Sequence, residues 1–249
     1  MASVLPRGRL GKTRLLALTA LFASIHGLSS AVPGPWGPPE VARSFVIFVE
    51  SIEGIALGPL AGFLSSSIGC VLGRILRPRE EGFLLSVSFG MGEAFAALVA
   101  GSMFKKRWFL ALAAYSAMLL AFLADPLTRS AGIPLWALWN TFAALLLIPP
   151  TRLAVKKAMG ERGGAKRLGA AVCMVTFVST EADMLFRIFL LVPMRFYLLY
   201  PIPIEFLPAV FVVGALVTPI EAALSTLVAA VLAVPALKAI SKSTEWPVT

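Results

Sequence analysis

Charged residues are scarce in this chain of 249 residues. Asp, Glu, Lys and Arg make up 14% of the sequence, whereas 58% of the residues are hydrophobic. A soluble globular domain carries about 25% charged residues, and a soluble chain of this length needs polar side chains to cover its core. The composition therefore excludes an ordinary water-soluble domain and predicts that lipid surrounds the protein.

Residues that serve metal, redox or nucleotide chemistry are also few. The chain has one histidine, His26, and two cysteines, Cys70 and Cys173, which lie within apolar stretches. His26 has no second histidine to complete a His-based zinc site, and the two cysteines do not form a disulfide framework. The sequence also lacks a G-x-x-x-x-G-K-[ST] phosphate loop. We therefore expect no metal, no cofactor and no catalytic residues, so the protein is not expected to be an enzyme.

The cations lie in short clusters between long apolar runs, with 22 Lys and Arg against 13 Asp and Glu. Nucleic-acid binding is not favoured, because it needs cations along one solvated face. Since a membrane-spanning helix needs about 20 apolar residues, the runs predict an all-α fold, a polytopic transmembrane helical bundle of six to eight spans in one integral membrane domain. The expected spans are 15–29, 44–57, 60–76, 83–103, 108–123, 135–148, 168–194 and 206–237.

Basic clusters predict the orientation, because cytoplasmic loops are rich in Lys and Arg. The linker 151–167 carries six cations and one acid, and residues 1–14 carry four cations and no acid. With eight spans, the protein lies in the cell membrane with both termini, this linker and the Lys105 cluster in the cytoplasm. The same count leaves the arginines within 74–79 on the outer side. Merging 45–76 into one broken helix would bring these arginines inside and put the Lys105 cluster outside, so both span counts stay open.

Prolines predict where helices break, because proline lacks an N–H group and fixes φ. The segment 32–39 has four prolines in eight residues and is expected to be a stiff external loop. The other predicted breaks, which divide or end apolar runs, are Gly58-Pro59, Pro149-Pro150, Pro219 and Pro235.

Acidic residues inside the apolar runs point to a site, because each costs about 2.5 to 3.5 kcal/mol at the centre of a bilayer. Glu50 and Glu53 share one face of the second span, and contact with water at the membrane end is favoured for them. Glu93 lies far from the basic clusters, so a polar cavity is favoured for it. The remaining acids in the runs are Glu181, Asp183 and Glu221.

Several of these residues are candidates to line one pocket near the outer leaflet. Asp183 precedes Arg187 by four residues, the favourable order for an intrahelical ion pair, so a purely structural salt bridge is an equal alternative there. The net negative charge of such a pocket favours a cationic or hydrogen-bond-donating ligand. The candidate pocket residues are Glu93, Asn140, Glu181, Asp183, Arg187 and Glu221.

Small residues recur on two predicted helix faces, and small faces let membrane helices approach closely. Gly54, Gly58 and Gly62 follow one another at intervals of four, and we interpret this face as packing within the chain. The first span has a second small face, for which a partner protein and internal packing both stay open. Its members are Thr19, Ala20, Ala23 and Ser24.

The order of these features resembles the S components of energy-coupling factor (ECF) vitamin transporters, especially those of archaea. The resemblance covers most of the chain. It rests on the basic N-terminus, the proline-rich first loop and the segments Leu16-Ala-Leu-Thr-Ala-Leu-Phe-Ala-Ser24, Gly58-Pro-Leu-Ala-Gly62 and Thr218-Pro-Ile-Glu-Ala-Ala-Leu-Ser-Thr-Leu-Val-Ala-Ala-Val-Leu-Ala-Val-Pro235.

The resemblance implies transport without catalysis. An S component binds a vitamin or related micronutrient outside the cell and delivers it through a membrane coupling protein, driven by two cytoplasmic ATPases. On this chain the docking face for the coupling protein would be Thr19, Ala20, Ala23 and Ser24, and Trp36 in the capping loop would contact the substrate. The alternative function is a stand-alone secondary transporter of a small organic solute.

Overall fold

The structure is a computed structural model that describes residues 11–32, 44–105, 107–160, 164–199 and 203–242. Within these ranges the chain forms nine α-helices and no β-strand, which confirms the all-α fold. The helices are α1 (Lys12–Ala31), α2 (Glu50–Leu57), α3 (Pro59–Leu76), α4 (Phe83–Phe104), α5 (Trp108–Ala124), α6 (Pro126–Ser130), α7 (Trp139–Ala158), α8 (Ala165–Leu191) and α9 (Leu207–Lys242).

The described residues include six helical segments that are long and apolar enough to cross a membrane. Their surfaces carry large aliphatic side chains, and Leu16, Leu64 and Leu120 are each more than half exposed. This is the arrangement that a bilayer requires, so the chain is a multi-pass membrane protein. The six segments are Lys12–Ala31, Pro59–Leu76, Phe83–Phe104, Leu135–Ala158, Ala165–Leu191 and Ile204–Leu237.

The helices α2 and α3 are separated by a sharp turn at Gly58, at the break that the sequence predicts. Gly58 has φ of 88°, a conformation that glycine adopts without strain, and Pro59 occupies the first turn of α3, where its missing N–H is harmless. The eight residues of α2 extend only about 12 Å. A 3-10 turn, Phe45–Phe48, precedes α2 and carries the chain on toward the end of α1.

Small residues fix how the first four helices pack. Ser65 Oγ of α3 donates to the Thr19 carbonyl of α1 at 3.1 Å, and Gly73 lies against Gly27 farther along both helices. Because the contacts advance together along the two sequences, α1 and α3 run parallel. Gly54 lies so close to Ala97 of α4 that a Cβ atom there would overlap its carbonyl. The predicted small face of 54–62 therefore packs within the chain.

Proline stops neither α7 nor α9, so the predicted end of the sixth span is wrong. The sequence predicts that Pro149-Pro150 closes the sixth span, but α7 continues to Ala158. Pro219 and Pro235 likewise lie inside a continuous α9. Membrane helices tolerate proline when other groups satisfy the freed backbone.

The bundle has one strongly basic end. Gly101 near the end of α4 packs on Pro59 at the start of α3, and Arg152 near the end of α7 lies over the Trp108 ring at the start of α5, 4.8 Å from its centroid. These contacts bring several cation-rich helix ends together at one end of the bundle, which we name the basic end. Its described cations are Lys12, Arg14, Lys105, Arg107, Arg152, Lys156, Lys157, Lys166 and Arg167.

The opposite end of the bundle carries charges of both signs. Arg77, Glu80 and Glu81 lie in the turn between α3 and α4. Asp125 begins α6 and accepts a hydrogen bond from Arg195 Nη1 at 2.8 Å. The two ends of the molecule are therefore different in charge, as in a membrane protein with a fixed orientation.

Candidate functional site

Six ionisable side chains from five helices meet inside the bundle, and we name this group the charge cluster. Five of them are 0–1% exposed, and Arg187 is 16% exposed. Burial of this kind is expensive unless each charge is paired. The members are His26 of α1, Glu53 of α2, Arg74 of α3, Glu93 of α4, and Asp183 and Arg187 of α8.

Glu93 is the centre of the charge cluster. Its Oε1 atom accepts from Arg74 Nη2 at 2.9 Å and from Arg187 Nη2 at 3.3 Å. Its Oε2 atom lies 3.0 Å from His26 Nε2. One carboxylate thus joins three other helices, α1, α3 and α8, to α4. The sequence predicted a polar environment for Glu93, and its partners in the structure are charged side chains.

His26 bridges two carboxylates. Its Nδ1 atom lies 2.8 Å from Glu53 Oε2, and its opposite ring nitrogen faces Glu93. Ser65 Oγ lies 3.1 Å from the other Glu53 oxygen, so its single proton is shared between that oxygen and the Thr19 carbonyl. The sequence favoured contact with water for Glu50 and Glu53, but both are 0% exposed. That prediction is wrong, because the 3-10 turn and α2 lie between other helices rather than at the membrane surface.

The predicted ion pair of α8 is present, and it is part of the cluster rather than isolated. Arg187 Nε donates to Asp183 Oδ1 at 2.8 Å while Arg187 Nη2 contacts Glu93. The eight-span topology left Arg74 among the arginines on the outer side; in the structure its side chain is 1% exposed and lies inside the bundle. Its Nη1 donates to Ser30 Oγ and its Nη2 to Glu93. The long side chain reaches inward from the last turns of α3.

Two glycines of α4 leave room for the charged side chains. A Cβ atom on Gly92 would overlap Asp183 Oδ1, and one on Gly90 would overlap Cys70 Sγ and press on the Arg74 guanidinium. Charged groups here contact the α4 backbone directly. The sequence Gly90-Met-Gly92-Glu93 therefore supplies both the central carboxylate and the space for its neighbours.

The cluster is close to neutral only if His26 is protonated. Glu53, Glu93 and Asp183 bring three negative charges, whereas Arg74 and Arg187 bring two positive charges. With a proton on both ring nitrogens, His26 would bring the positive charges of the cluster to three, equal to the negative charges. Each ring nitrogen could then donate to the carboxylate that it faces. The arrangement can therefore hold a charge or a proton away from water.

Two of the other predicted pocket residues, Asn140 and Glu181, form a separate hydrogen-bonded pair. Asn140 Nδ2, in the first turn of α7, donates to Glu181 Oε2 at 2.9 Å, and Ser51 and Ser179 are 2.8 Å apart through their hydroxyls. Glu221 is 0% exposed in α9. The structure thus brings Glu93, Asp183 and Arg187 together, and it places Asn140 with Glu181. Trp36 lies outside the described residues.

The predicted docking face of α1 is divided in the structure. Ala23 is 4% exposed and its carbonyl packs on Gly69 of α3, while the Thr19 carbonyl accepts from Ser65. Ala20 and Ser24 remain exposed. The assignment of Ala23 to an external surface is therefore wrong, because residues 19 and 23 share the face that packs on α3.

Sequence reasoning missed His26 and Arg74 as members of the site. His26 was considered only as an isolated zinc ligand, and Arg74 only as a loop cation. A signal was present for His26: Ala23 and Ser30 are small residues three and four positions away, so they mark the α1 face that packs closely on another helix. Arg74 similarly follows Gly73 at the end of a small-residue face.

The fold and the charge cluster define a multi-pass membrane protein with a charged interior. In comparisons with protein-family models, curated proteins and solved structures, nothing matches the chain. Function must therefore be argued from the charge cluster, from the exposed surfaces and from the resemblance described above.

Proposed function

We propose that this protein is the substrate-binding subunit of an ECF-type importer in the cell membrane. It binds a vitamin or related micronutrient from outside and passes it inward through a membrane coupling protein and two cytoplasmic ATPases. The observation that carries the proposal is the charge cluster. A bundle that served only as a scaffold would gain more stability from apolar residues at these positions than from buried ion pairs.

The proposed orientation has the basic end in the cytoplasm. The described residues of this end carry nine cations, and the linker 151–167 has six cations against one acid, which is the charge bias of cytoplasmic loops. Both termini are then cytoplasmic, and the turn with Glu80 and Glu81 is outside. Arg74 and Arg187 lie within about one turn of the outer ends of α3 and α8, so this orientation lets the cluster be approached from outside.

The proposed docking surface is the exposed side of α1. Ala20 and Ser24 lie there among exposed aliphatic side chains such as Leu21 and Leu28. Small residues at i and i+4 form a shallow face against which another membrane helix can pack closely. The proposed docking surface does not include Thr19 and Ala23 of the face predicted from the sequence, because these two residues face α3.

Replacing Ala20 with Trp is expected to abolish uptake while leaving substrate binding unchanged, because the large ring blocks a partner helix but not the cluster. Uptake would be measured in cells that express the coupling protein and ATPases, and binding on the purified subunit. The matched control is Ala117→Trp, since Ala117 is an exposed alanine of α5. Equal uptake by the two variants would contradict the docking surface.

Gentle purification followed by mass spectrometry of bound small molecules tests the function itself. A substrate-binding subunit should retain a micronutrient, and labelled forms of that molecule should enter cells only when the whole importer is present. Repeatedly empty preparations, together with no uptake of any micronutrient above that of cells lacking the protein, would refute the proposal.

A stand-alone secondary transporter is the second candidate, and the position of His26 favours it. A histidine between Glu53 and Glu93 resembles the chains of acids and histidines through which transporters move protons. Purified protein reconstituted alone in liposomes would then accumulate solute when a pH gradient is imposed. Accumulation without any ATPase would select this candidate over an importer subunit.

A further inference from the structure

We propose that Arg74 and Arg187 form a binding site for the carboxylate of an organic-anion substrate, and that Glu93 occupies this site when no substrate is bound. The inference deepens the proposed function and rests on it, because it names the chemical class of the transported molecule. It follows from how the two guanidinium groups converge, from a donor that is not used, and from the place where the cluster is accessible.

The two guanidinium groups converge on a single oxygen. Arg74 Nη2 and Arg187 Nη2 come from different helices and both donate to Glu93 Oε1, at 2.9 and 3.3 Å. An Arg–carboxylate pair in isolation often forms two parallel hydrogen bonds, one to each oxygen. Here both arginines donate to the same oxygen, so neither forms that fork with Glu93, and the pair offers a carboxylate-shaped site that Glu93 fills incompletely.

One donor of Arg74 is not used. Its Nε atom is buried and has no hydrogen-bond partner among the described residues, although the side chain is 1% exposed. A buried donor without an acceptor is costly. Glu93 is held on α4 and accepts from Arg74 Nη2 only. A substrate carboxylate is not attached to a helix, so its two oxygens can accept from Nε and Nη2 of Arg74 together.

Arg187 is the most exposed member of the charge cluster, and two aromatic pairs involve the helices that carry Arg187 and Glu93. Arg187 is 16% exposed, whereas Arg74 and Glu93 are each 1% exposed. Phe186 stacks on Phe95 with ring centroids 5.5 Å apart. On the side of the proposed outer end, Phe89 and Phe196 form an edge-to-face pair with centroids 6.0 Å apart. An anion with an apolar or aromatic body fits these surroundings.

The charge balance differs from the one that the sequence indicates. Counting the acids of the spans and placing Arg74 in a loop predicts a negative pocket and a cationic ligand. With Arg74 inside, Glu93 has two arginines and His26 as neighbours. A substrate carboxylate can take the place of Glu93 Oε1 on the two arginines, and the charge that it adds is balanced if the displaced Glu93, still next to His26 Nε2, takes up a proton.

Matched pairs of acids and amides test the chemical class on purified protein. The probes are benzoate and phenylacetate against benzamide and phenylacetamide, with affinity measured from ligand-dependent thermal unfolding in detergent. Glu93→Gln removes the competing charge and should bind the two acids at least tenfold more tightly than the unmodified protein, with no change for the amides. In the Glu93→Gln background, a second substitution Arg187→Gln should abolish the gain in affinity for the acids. The control substitution Arg195→Gln, at the same end of the bundle, should leave that gain unchanged.

Rescue of a truncated variant tests the site without an identified substrate. Glu93→Ala should lower the thermal midpoint, and acetate should restore it at millimolar concentration, while acetamide and equal concentrations of chloride should not. The double variant Glu93→Ala/Arg187→Gln should not be rescued. Absence of rescue, or equal rescue by acetamide, would overturn the proposal.

The two proposals fail in different ways. If the co-purified or transported solute proves to be neutral or cationic, the carboxylate site is wrong while the transport function stands. If acetate rescues Glu93→Ala but no solute of any charge enters cells, the anion site stands and transport is refuted. Selective rescue by acetate together with uptake of an organic acid supports both.

Discussion

Individual charged residues account for most of what is distinctive inside this protein. Hydropathy indicated that Glu93 and Asp183 need partners, and the i, i+4 spacing correctly predicted the contact between Asp183 and Arg187. The partners on other helices were not predictable in the same way. Which cation reaches Glu93 depends on how α3 and α8 pack on α4, and one sequence read alone does not contain that packing.

Removing one partner from the buried network should destabilise the protein strongly. Arg74→Met leaves Glu93 with less compensation in a buried position, and breaking such pairs costs about 3–5 kcal/mol. The free energy of unfolding would be measured by titration with SDS in mixed micelles. The control is Arg195→Met, which removes a more exposed partner of Asp125 and should leave the transition near its original position. Similar curves for the two variants would contradict the role of the cluster in stability.

Gly92 is expected to tolerate no side chain. In Gly92→Ala the added methyl overlaps Asp183 Oδ1, so the carboxylate must move and its contact with Arg187 is disturbed, a change of about 1–3 kcal/mol by analogy with overpacked cores. Gly169→Ala in α8 is the control, because nothing lies within 4 Å of its Cβ position. That substitution should be neutral or slightly stabilising. Loss of stability in both variants, measured by the same titration, would point to a general intolerance of alanine instead.

At the scale of helices, the apolar runs predicted the helices better than the prolines predicted where helices end. The run around 83–103 corresponds to α4, and Gly58 does mark the turn before α3. Proline was misleading at Pro149 and Pro219, because a membrane helix satisfies the freed carbonyls locally or through neighbours. Helix breaks are set by backbone hydrogen bonding in three dimensions, so a proline in lipid does not identify one by itself.

The parallel packing of α1 on α3 can be tested with an engineered disulfide. A Cβ on Gly27 would lie 3.1 Å from the Leu72 Cβ, slightly under the usual span for a disulfide of about 3.5–4.5 Å. In a background with Cys70 and Cys173 replaced by Ser, Gly27→Cys/Leu72→Cys should form a cross-link on mild oxidation, detected as loss of free thiols by mass spectrometry. Gly27→Cys/Leu64→Cys, with the second cysteine two turns away on the same face of α3, should not. Preferential cross-linking at 64 would show that the register is wrong.

At the scale of the whole molecule, composition and the length of the apolar runs predicted a multi-pass membrane protein with an all-α fold. The eight-span count also placed 151–167 and Lys105 at one end, whereas the merged count placed them at opposite ends. The joining of α1, α2, α3, α4 and α8 at a single point was beyond sequence analysis. That point brings together residues as far apart in the chain as His26 and Arg187, and no local pattern relates them.

Thiol labelling in intact cells tests the orientation. In the same cysteine-free background, Glu80→Cys lies in the turn between α3 and α4, and Lys156→Cys lies at the basic end. A membrane-impermeant maleimide should label the first variant from outside and the second only after the cells are opened, because Lys- and Arg-rich segments stay in the cytoplasm. The reverse pattern would invert the proposed topology and move the approach to Arg187 to the other side of the membrane.

The position of α1 has a mechanical consequence. This helix lies along α3, yet its histidine reaches past α3 to side chains of α2 and α4. A sideways force applied from the lipid by another subunit would therefore pull on two deep carboxylates at once. If a coupling protein docks on α1 as proposed, this helix would act as a lever that carries a displacement at the rim of the molecule to the charges in its middle.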